Sequence, residues 1–198
     1  MASITIPSVI AAGAQMRLIR GDSMLEFMDG SAVGVQSTKA LWAMSFPLRP
    51  TKTATARDWL SFLAQASKAG NTFTITPPGY VKKFAYGGSQ IQVQGGSQTG
   101  LTLLCDGPSS LQPVLVAGEY FEVNGELKIA TADATAEVSG DVTFNFEPAL
   151  RSAPADNANV EVNAPTAIMR LVSQEAAWAI SLGDFYEMTI DAIEHFGP

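Results

Sequence analysis

The sequence predicts a mostly β protein with one amphipathic helix laid against it. Three observations carry this. Apolar residues alternate at period two in several short runs, among them Trp42-Met44-Phe46 and Val142-Phe144-Phe146. Pairs of Gly, Pro and Asn punctuate those runs every few residues, as turns between short strands do. One stretch, at about 55–69, instead places apolar residues at i, i+3, i+4 and i+7. With 198 residues the chain is long enough to bury a core without a disulfide or a metal.

The first 34 residues are rich in Ala, Met, Ser and Gly and show no clean period, although Met16, Leu18 and the segment Met24 to Met28 are strand candidates. This arm is expected to wrap a neighbouring molecule. Its Arg20-Gly21-Asp22 spells an integrin-binding tripeptide, but three residues recur by chance and the motif acts only in a suitable loop. From Leu41 the pattern sharpens, and Trp42, Met44 and Phe46 define a half-buried strand expected to end at Pro47.

The helix follows. Thr55 to Asp58 reads T-x-x-D, a capping-box variant, and Trp59, Phe62, Leu63 and Ala66 share one face. Gly70 is expected to stop it in a left-handed conformation and Asn71 to turn the chain into a strand over Thr72 to Thr76. A single helix among strands should cover an open sheet face.

Pro77-Pro78-Gly79 is a hard break and a lobe boundary. Beyond it, Gly87-Gly88, Gly95-Gly96 and Gly107-Pro108 bracket runs at Gln90 to Gln94 and Leu101 to Cys105. These glycines fit neither phosphate-binding pattern, and no helix follows to point its N-terminus at an anion, so they read as turns. Asn124-Gly125 then joins Tyr120 to Val123 with Leu127 to Ile129 as a hairpin. A two-residue loop would set Val123 opposite Glu126 and Phe121 opposite Lys128. A three-residue loop aligns Val123 with Leu127 and Phe121 with Ile129, and is preferred because it keeps apolar and charged groups on separate faces.

Thr131 to Ala136 reads as a loop. Val142, Phe144 and Phe146 form a strand that Pro148 should close, since proline cannot donate a ladder hydrogen bond. Ser152 to Ala164 is polar and proline-bounded and reads as a long connection. Ala167 to Val172 and Ala177 to Leu182 read as strands, the second with Trp178, Ile180 and Leu182 on one side. Gly183-Asp184 turns into a last strand with Tyr186, Met188 and Ile190, ending near His195.

Charge and composition narrow the function. Apolar residues make up 46% and charged ones only 16%, which leaves too few charges to cover a lone monomer, so other subunits are expected over part of the surface. A net charge of −7 with scattered Lys and Arg argues against a nucleic-acid reader. The apolar piece Val9 to Ala14 is too short for a secretory signal and no run is long enough for a transmembrane helix, so the expected location is the cytoplasm.

The same inventory points away from an active site. Lone Cys105 reads as a small buried apolar residue. His195, three places from the end, is the one histidine, which leaves no second His for a metal pair and a poor relay member. Asp133, Glu137 and Asp141 lack calcium-loop spacing. Paired carboxylates of a glycosidase would meet only in space. Trp42, Trp178 and Tyr80 could line a sugar platform, but aromatics at strand period are more often core. The expectation is therefore no catalytic, cofactor-binding or metal-binding residues, no cofactor and no enzyme activity.

The order of landmarks carries a resemblance. A strand with Trp42 and Phe46-Pro47 is followed by a helix with Trp59-Leu60 and Phe62-Leu63, then Gly70-Asn71-Thr72-Phe73 and Thr76-Pro77. Next come Gly95 to Leu103 (GGSQTGLTL), Leu115 to Phe121 (LVAGEYF), Glu147 to Arg151 (EPALR), Ala164-Pro165 and Met169-Arg170-Leu171. Over roughly residues 40–198 this resembles the distal tail, or baseplate hub, proteins of long-tailed (siphovirus-like) bacteriophages and gene transfer agents. Glu119 stands where that family commonly shows Asp.

The resemblance implies a β-sandwich or barrel of the phage tail-tube and hub type with one flanking helix, as a single domain over residues 1–198 with a small β-barrel lobe inserted at about 79–150. It implies a structural virion protein closing into a homo-oligomeric ring, a hexamer, at the tail tip. The ring would join the tail tube protein to adjacent hub proteins and fibres, and DNA would pass through its lumen without sequence-specific binding or membrane insertion. The location would be the virion tail tip, with host cytoplasm during assembly. Obligate interfaces suit the low surface charge, and ring closure needs a head-to-tail contact. The alternative is a β-sandwich carbohydrate-binding or host-attachment module, a monomer or trimer with an exposed aromatic cleft.

Overall fold

Period-two alternation builds most of the molecule, and the structure, a computed structural model describing residues 2–7, 13–35, 37 and 39–196, is mostly β with one helix and a closed six-stranded barrel. The chain divides into two units, Met1–Leu18, Trp42–Pro78 and Ala167–Pro198 in the first, Ile19–Leu41 and Gly79–Thr166 in the second.

The first unit is a six-stranded sheet in the order Ser3–Ile4, Thr72–Ile75, Ala167–Leu171, Thr189–Glu194, Ala40–Pro47, Gln15–Arg20. Trp42, Met44 and Phe46 are buried as their spacing predicts. The helix spans Thr53–Ala66 and buries Ala56, Trp59, Phe62, Leu63 and Ala66, the predicted face. An edge-to-face aromatic chain ties helix to sheet: Phe46 to Trp59 at 6.5 Å, Trp59 to Phe62 at 5.6 Å and Phe62 to Phe73 at 5.1 Å. Each such pair adds about 0.5–1.5 kcal/mol beyond its area burial.

The helix begins three residues earlier than its capping-box reading, in which Thr55 would be the N-cap. Thr51–Lys52 is itself a strand, paired with Phe185–Glu187, so the chain enters the helix straight from a ladder; Lys52 is the N-cap and makes no side-chain cap bond. Its far end comes at Ala66. Asn71 Nδ2 donates to the Gln65 carbonyl at 2.9 Å, and Gly70 takes the expected positive φ of 83°.

The anticipated last strand is two strands in two sheets. Phe185–Glu187 joins Ala179–Ser181 and Thr51–Lys52 in a three-stranded sheet, whereas Thr189–Glu194 joins the six-stranded one. Met188 marks the change, its carbonyl accepting the Leu48 N–H at 2.9 Å.

The second unit is the closed barrel, in the order Tyr120–Val123, Glu126–Ala130, Val142–Leu150, Gly100–Asp106, Ile91–Val93, Asn159–Glu161, which pairs back onto Tyr120–Val123. Its interior includes Ile91, Val93, Leu103, Cys105, Phe121, Val123, Phe144, Phe146 and Val160. Cys105 is fully buried, and burial, with Asp106 nearby, pushes its thiol up to about 12, so it is packing material. The closing strand Asn159–Glu161 lies inside the stretch expected as a plain connection, and the unit accordingly runs on to Thr166, past 150.

Two further barrel expectations are corrected. Pro148 does not end its strand; Val142–Leu150 continues through it because the register against Gly100–Asp106 shifts between Asn145 and Leu150, where the ladder asks no N–H of the proline. The Asn124-Gly125 hairpin uses the rejected two-residue loop, pairing Val123 with Glu126 and Phe121 with Lys128. Both turn residues have positive φ, 53° and 74°, as a tight hairpin turn requires.

That register is tolerated because the two charges neutralise each other inside the barrel wall. Lys128 Nζ donates to Glu126 Oε2 at 2.5 Å and to the Ala149 carbonyl at 2.9 Å. Glu126 also accepts the Arg151 N–H at 3.1 Å and the Ser152 N–H at 3.0 Å, with Arg151 Nε 3.6 Å away. Both side chains are essentially unexposed, and such a pair persists where hydrogen bonds satisfy its remaining atoms.

Candidate assembly surface

A second hairpin, Ser23–Glu26 with Ala32–Val35, is built where the sequence showed only a strand candidate at Met24 to Met28. Pairs run Ser23 to Val35, Met24 to Gly34, Leu25 to Val33 and Glu26 to Ala32. The loop closes when the Phe27 N–H donates to the Ser31 carbonyl at 2.8 Å and the Gly30 N–H to the Phe27 carbonyl at 3.0 Å. Gly30 supplies a φ of 81°. Asp29 Oδ1 accepts the Ser31 hydroxyl at 2.6 Å and its N–H at 2.9 Å, and these bonds hold the Asp29 carboxyl below its ordinary value.

The base of this hairpin absorbs the Arg-Gly-Asp tripeptide. Arg20 pairs with Glu147 at 3.2 Å, Asp22 Oδ1 accepts the Ser37 N–H at 2.7 Å, and the Gly21 N–H donates to the Lys39 carbonyl at 2.7 Å. A Cβ on Gly21 would meet Ser37 Oγ at 3.1 Å and Lys39 Cβ at 3.2 Å, so glycine serves a close crossing there. The tripeptide therefore anchors the arm rather than presenting a recognition loop.

Every residue in the two strands of this hairpin is exposed. By its register, Leu25, Val33 and Val35 share one side, which Phe27 continues, and Met24 lies on the other with Met28 at the tip. Leu25 is 57% exposed and Met28 fully so. A lone two-stranded ribbon is marginal in water, and apolar residues on it are covered in a stable assembly.

A comparable face occurs on the first unit. In the three-stranded sheet, Ile180 pairs with Tyr186 and Tyr186 with Thr51, so these three share a side; Trp178 and Leu182 continue its alternation. Ala179–Ser181 is an edge strand with all residues exposed, and Leu182 stands fully in solvent. Gly183 and Asp184, with φ of 90° and 60°, make the turn the sequence predicted. Trp178 is half exposed, unlike Trp42 in the core, although both lie at strand period.

The buried charges hold backbone groups in place. Glu119 accepts N–H groups of Lys83 at 2.7 Å and Val116 at 3.0 Å and the Lys82 ammonium at 3.2 Å, while Lys82 also donates to the Val114 carbonyl at 2.8 Å. Burial pushes the Glu119 and Glu126 carboxyls up, but these donors, with Lys128 on Glu126, outweigh it and hold both below their ordinary values.

A groove of about 490 Å³ lies between Ile4–Pro7 and the helix face bearing Thr55, Asp58, Ser61 and Gln65, with one carboxylate on its wall. A cavity of about 280 Å³ brings Glu175 and Asp191 to one lining. Both residues are exposed. His195 is half-buried, its N–H donating to the Ile168 carbonyl at 2.8 Å. Among the described residues no cluster of three or more His, Cys, Asp or Glu is placed to hold a metal, and no helix is long and apolar enough to cross a membrane.

Charge is divided unevenly. The second unit holds thirteen of the nineteen acidic residues and six of the twelve basic ones, so it carries the whole formal charge of −7 and the first unit is neutral.

No family model matches the chain, and none of the curated proteins is detectably similar to it. The functional reading therefore rests on its own surfaces and on the order of its sequence landmarks.

Proposed function

We propose that the chain is a structural, ring-forming subunit of a bacteriophage tail tip, of the distal tail or baseplate hub kind, joining the tail tube to hub and fibre proteins. The observation that supports this most directly is the exposed hairpin Ser23–Val35, an apolar ribbon suited to a neighbouring subunit. The resemblance in landmark order and the mostly β architecture with one helix and a small barrel agree with it. Its work is mechanical: the subunit binds its neighbours, encloses a passage for DNA and carries the adhesion apparatus. An acidic protein lets DNA pass without retaining it.

Light scattering on the purified chain over a concentration series tests the reading. Six copies of the 20.9 kDa chain should appear as one species of about 125 kDa. A monomer at every concentration that instead binds a glycan would replace the reading with the host-attachment module.

A further inference from the structure

The Asn124-Gly125 turn joins an exposed side chain to the buried charges of the barrel through one hydroxyl. Asn124 Nδ2 donates to Ser152 Oγ at 2.8 Å, and Ser152 Oγ donates to Glu126 Oε1 at 3.2 Å. We infer that Asn124 is a site of spontaneous deamidation, and that its conversion to a carboxylate loosens the barrel wall through Ser152. The inference goes beyond the ring reading and does not depend on it.

Three observations place the reaction at Asn124. It is the one asparagine of the chain followed by glycine; the other five precede residues whose Cβ crowds attack by the following backbone nitrogen. Its side chain is exposed at a hairpin tip, within reach of water. Gly125 is the second residue of a two-residue loop, and among the described residues its N–H makes no hydrogen bond, so the ladder does not hold its nitrogen.

The chemistry needs only water. The Gly125 nitrogen gives its proton to a solvent base and attacks Asn124 Cγ. The new C–N bond closes a succinimide ring as the bond from Cγ to Nδ2 breaks, and Nδ2 takes a proton from water and leaves as ammonia. Water then opens the ring at either carbonyl, giving aspartate or, with the backbone routed through the side chain, isoaspartate. Nothing is oxidised or reduced.

The product cannot make the bond that the amide makes. As an amide, Asn124 donates to Ser152 and leaves the hydroxyl proton for Glu126. A carboxylate donates nothing, and the single proton of Ser152 cannot serve it and Glu126 together. Deamidation thus takes a donor from Ser152 and sets a second acceptor competing for the proton that Glu126 receives, inside a network that persists while its atoms are satisfied. Isoaspartate further lengthens the backbone of a turn built for two residues.

The full-length protein tests both halves. It is incubated folded at mildly alkaline pH until a urea-unfolded control has deamidated at Asn124, then digested in acid for mass spectrometry. The folded chain should show the mass gain at Asn124 before any other asparagine, part of it as isoaspartate accepted by isoaspartyl methyltransferase, and the rate should rise with pH because the attacking nitrogen must lose its proton. An Asn124 that stays intact in the folded chain, or another asparagine that reacts first, overturns the site. The coupling is read separately by urea denaturation. Asn124→Asp supplies one product outright and should lower the midpoint, and the loss should be much smaller when Ser152→Ala is the parent. Asn124→Asp as stable as wild type, or an equal loss in both parents, overturns the coupling through Ser152.

Discussion

Lys128 Nζ lies between the Glu126 carboxylate and the Ala149 carbonyl, and removing it leaves the buried carboxylate with Arg151, its Nε 3.6 Å away, as its remaining cationic partner. Lys128→Met should therefore destabilise the barrel unit by about 3–5 kcal/mol, measured by urea denaturation. Adding Glu126→Leu to that variant should recover most of the loss, because an apolar pair needs no solvation; a double variant as unstable as the single one would contradict the pairing. Acid has a related effect. Glu126 and Glu119 are held below their ordinary carboxyl values in the folded chain, so their contribution is fully present above the unfolded value near 4.5 and is lost as pH falls through the folded ones. Thermal melting should be flat from neutrality down to about pH 5 and drop below that; Glu126→Gln should weaken the acid-dependent part.

At the scale of elements, the Asn124-Gly125 turn fixes the register that brings Glu126 and Lys128 inside. Gly125→Ala should cost roughly 1–2 kcal/mol, because a Cβ disfavours the φ of 74°, with no change in assembly; a neutral effect on denaturation would argue against the two-residue turn. This turn also shows where the sequence is legible. Strands such as Ala40–Pro47 and the buried face of the helix follow from apolar spacing alone, because burial on one face imposes that spacing. The register did not follow, because Glu126 and Lys128 read as surface charges until distant backbone supplies their partners, Arg151 and Ser152 for Glu126, 25 and 26 residues away, and Ala149 for Lys128, 21 residues away. Asn159–Glu161 was hidden for another reason: three residues with one apolar member carry no period, and only closure of the barrel makes them a strand. Of the assembly surface, the Met24 segment and the one-sided Trp178, Ile180 and Leu182 were visible, but their exposure was not. The paired strand Ala32–Val35, with Ala and Gly alternating with Val, gave too weak an apolar signal to reveal the ribbon.

Across the whole molecule, the formal charge falls on the second unit, whereas exposed apolar faces stand on both. In the proposed ring such apolar faces are surfaces for neighbouring subunits to cover. A ring-forming subunit should associate head to tail rather than as a symmetric dimer. The most direct measurement is negative-stain imaging of the purified full-length protein at a concentration where light scattering shows association. The account predicts rings of six copies around a central hole. A field of single particles at every concentration, or compact two-fold dimers, would contradict it.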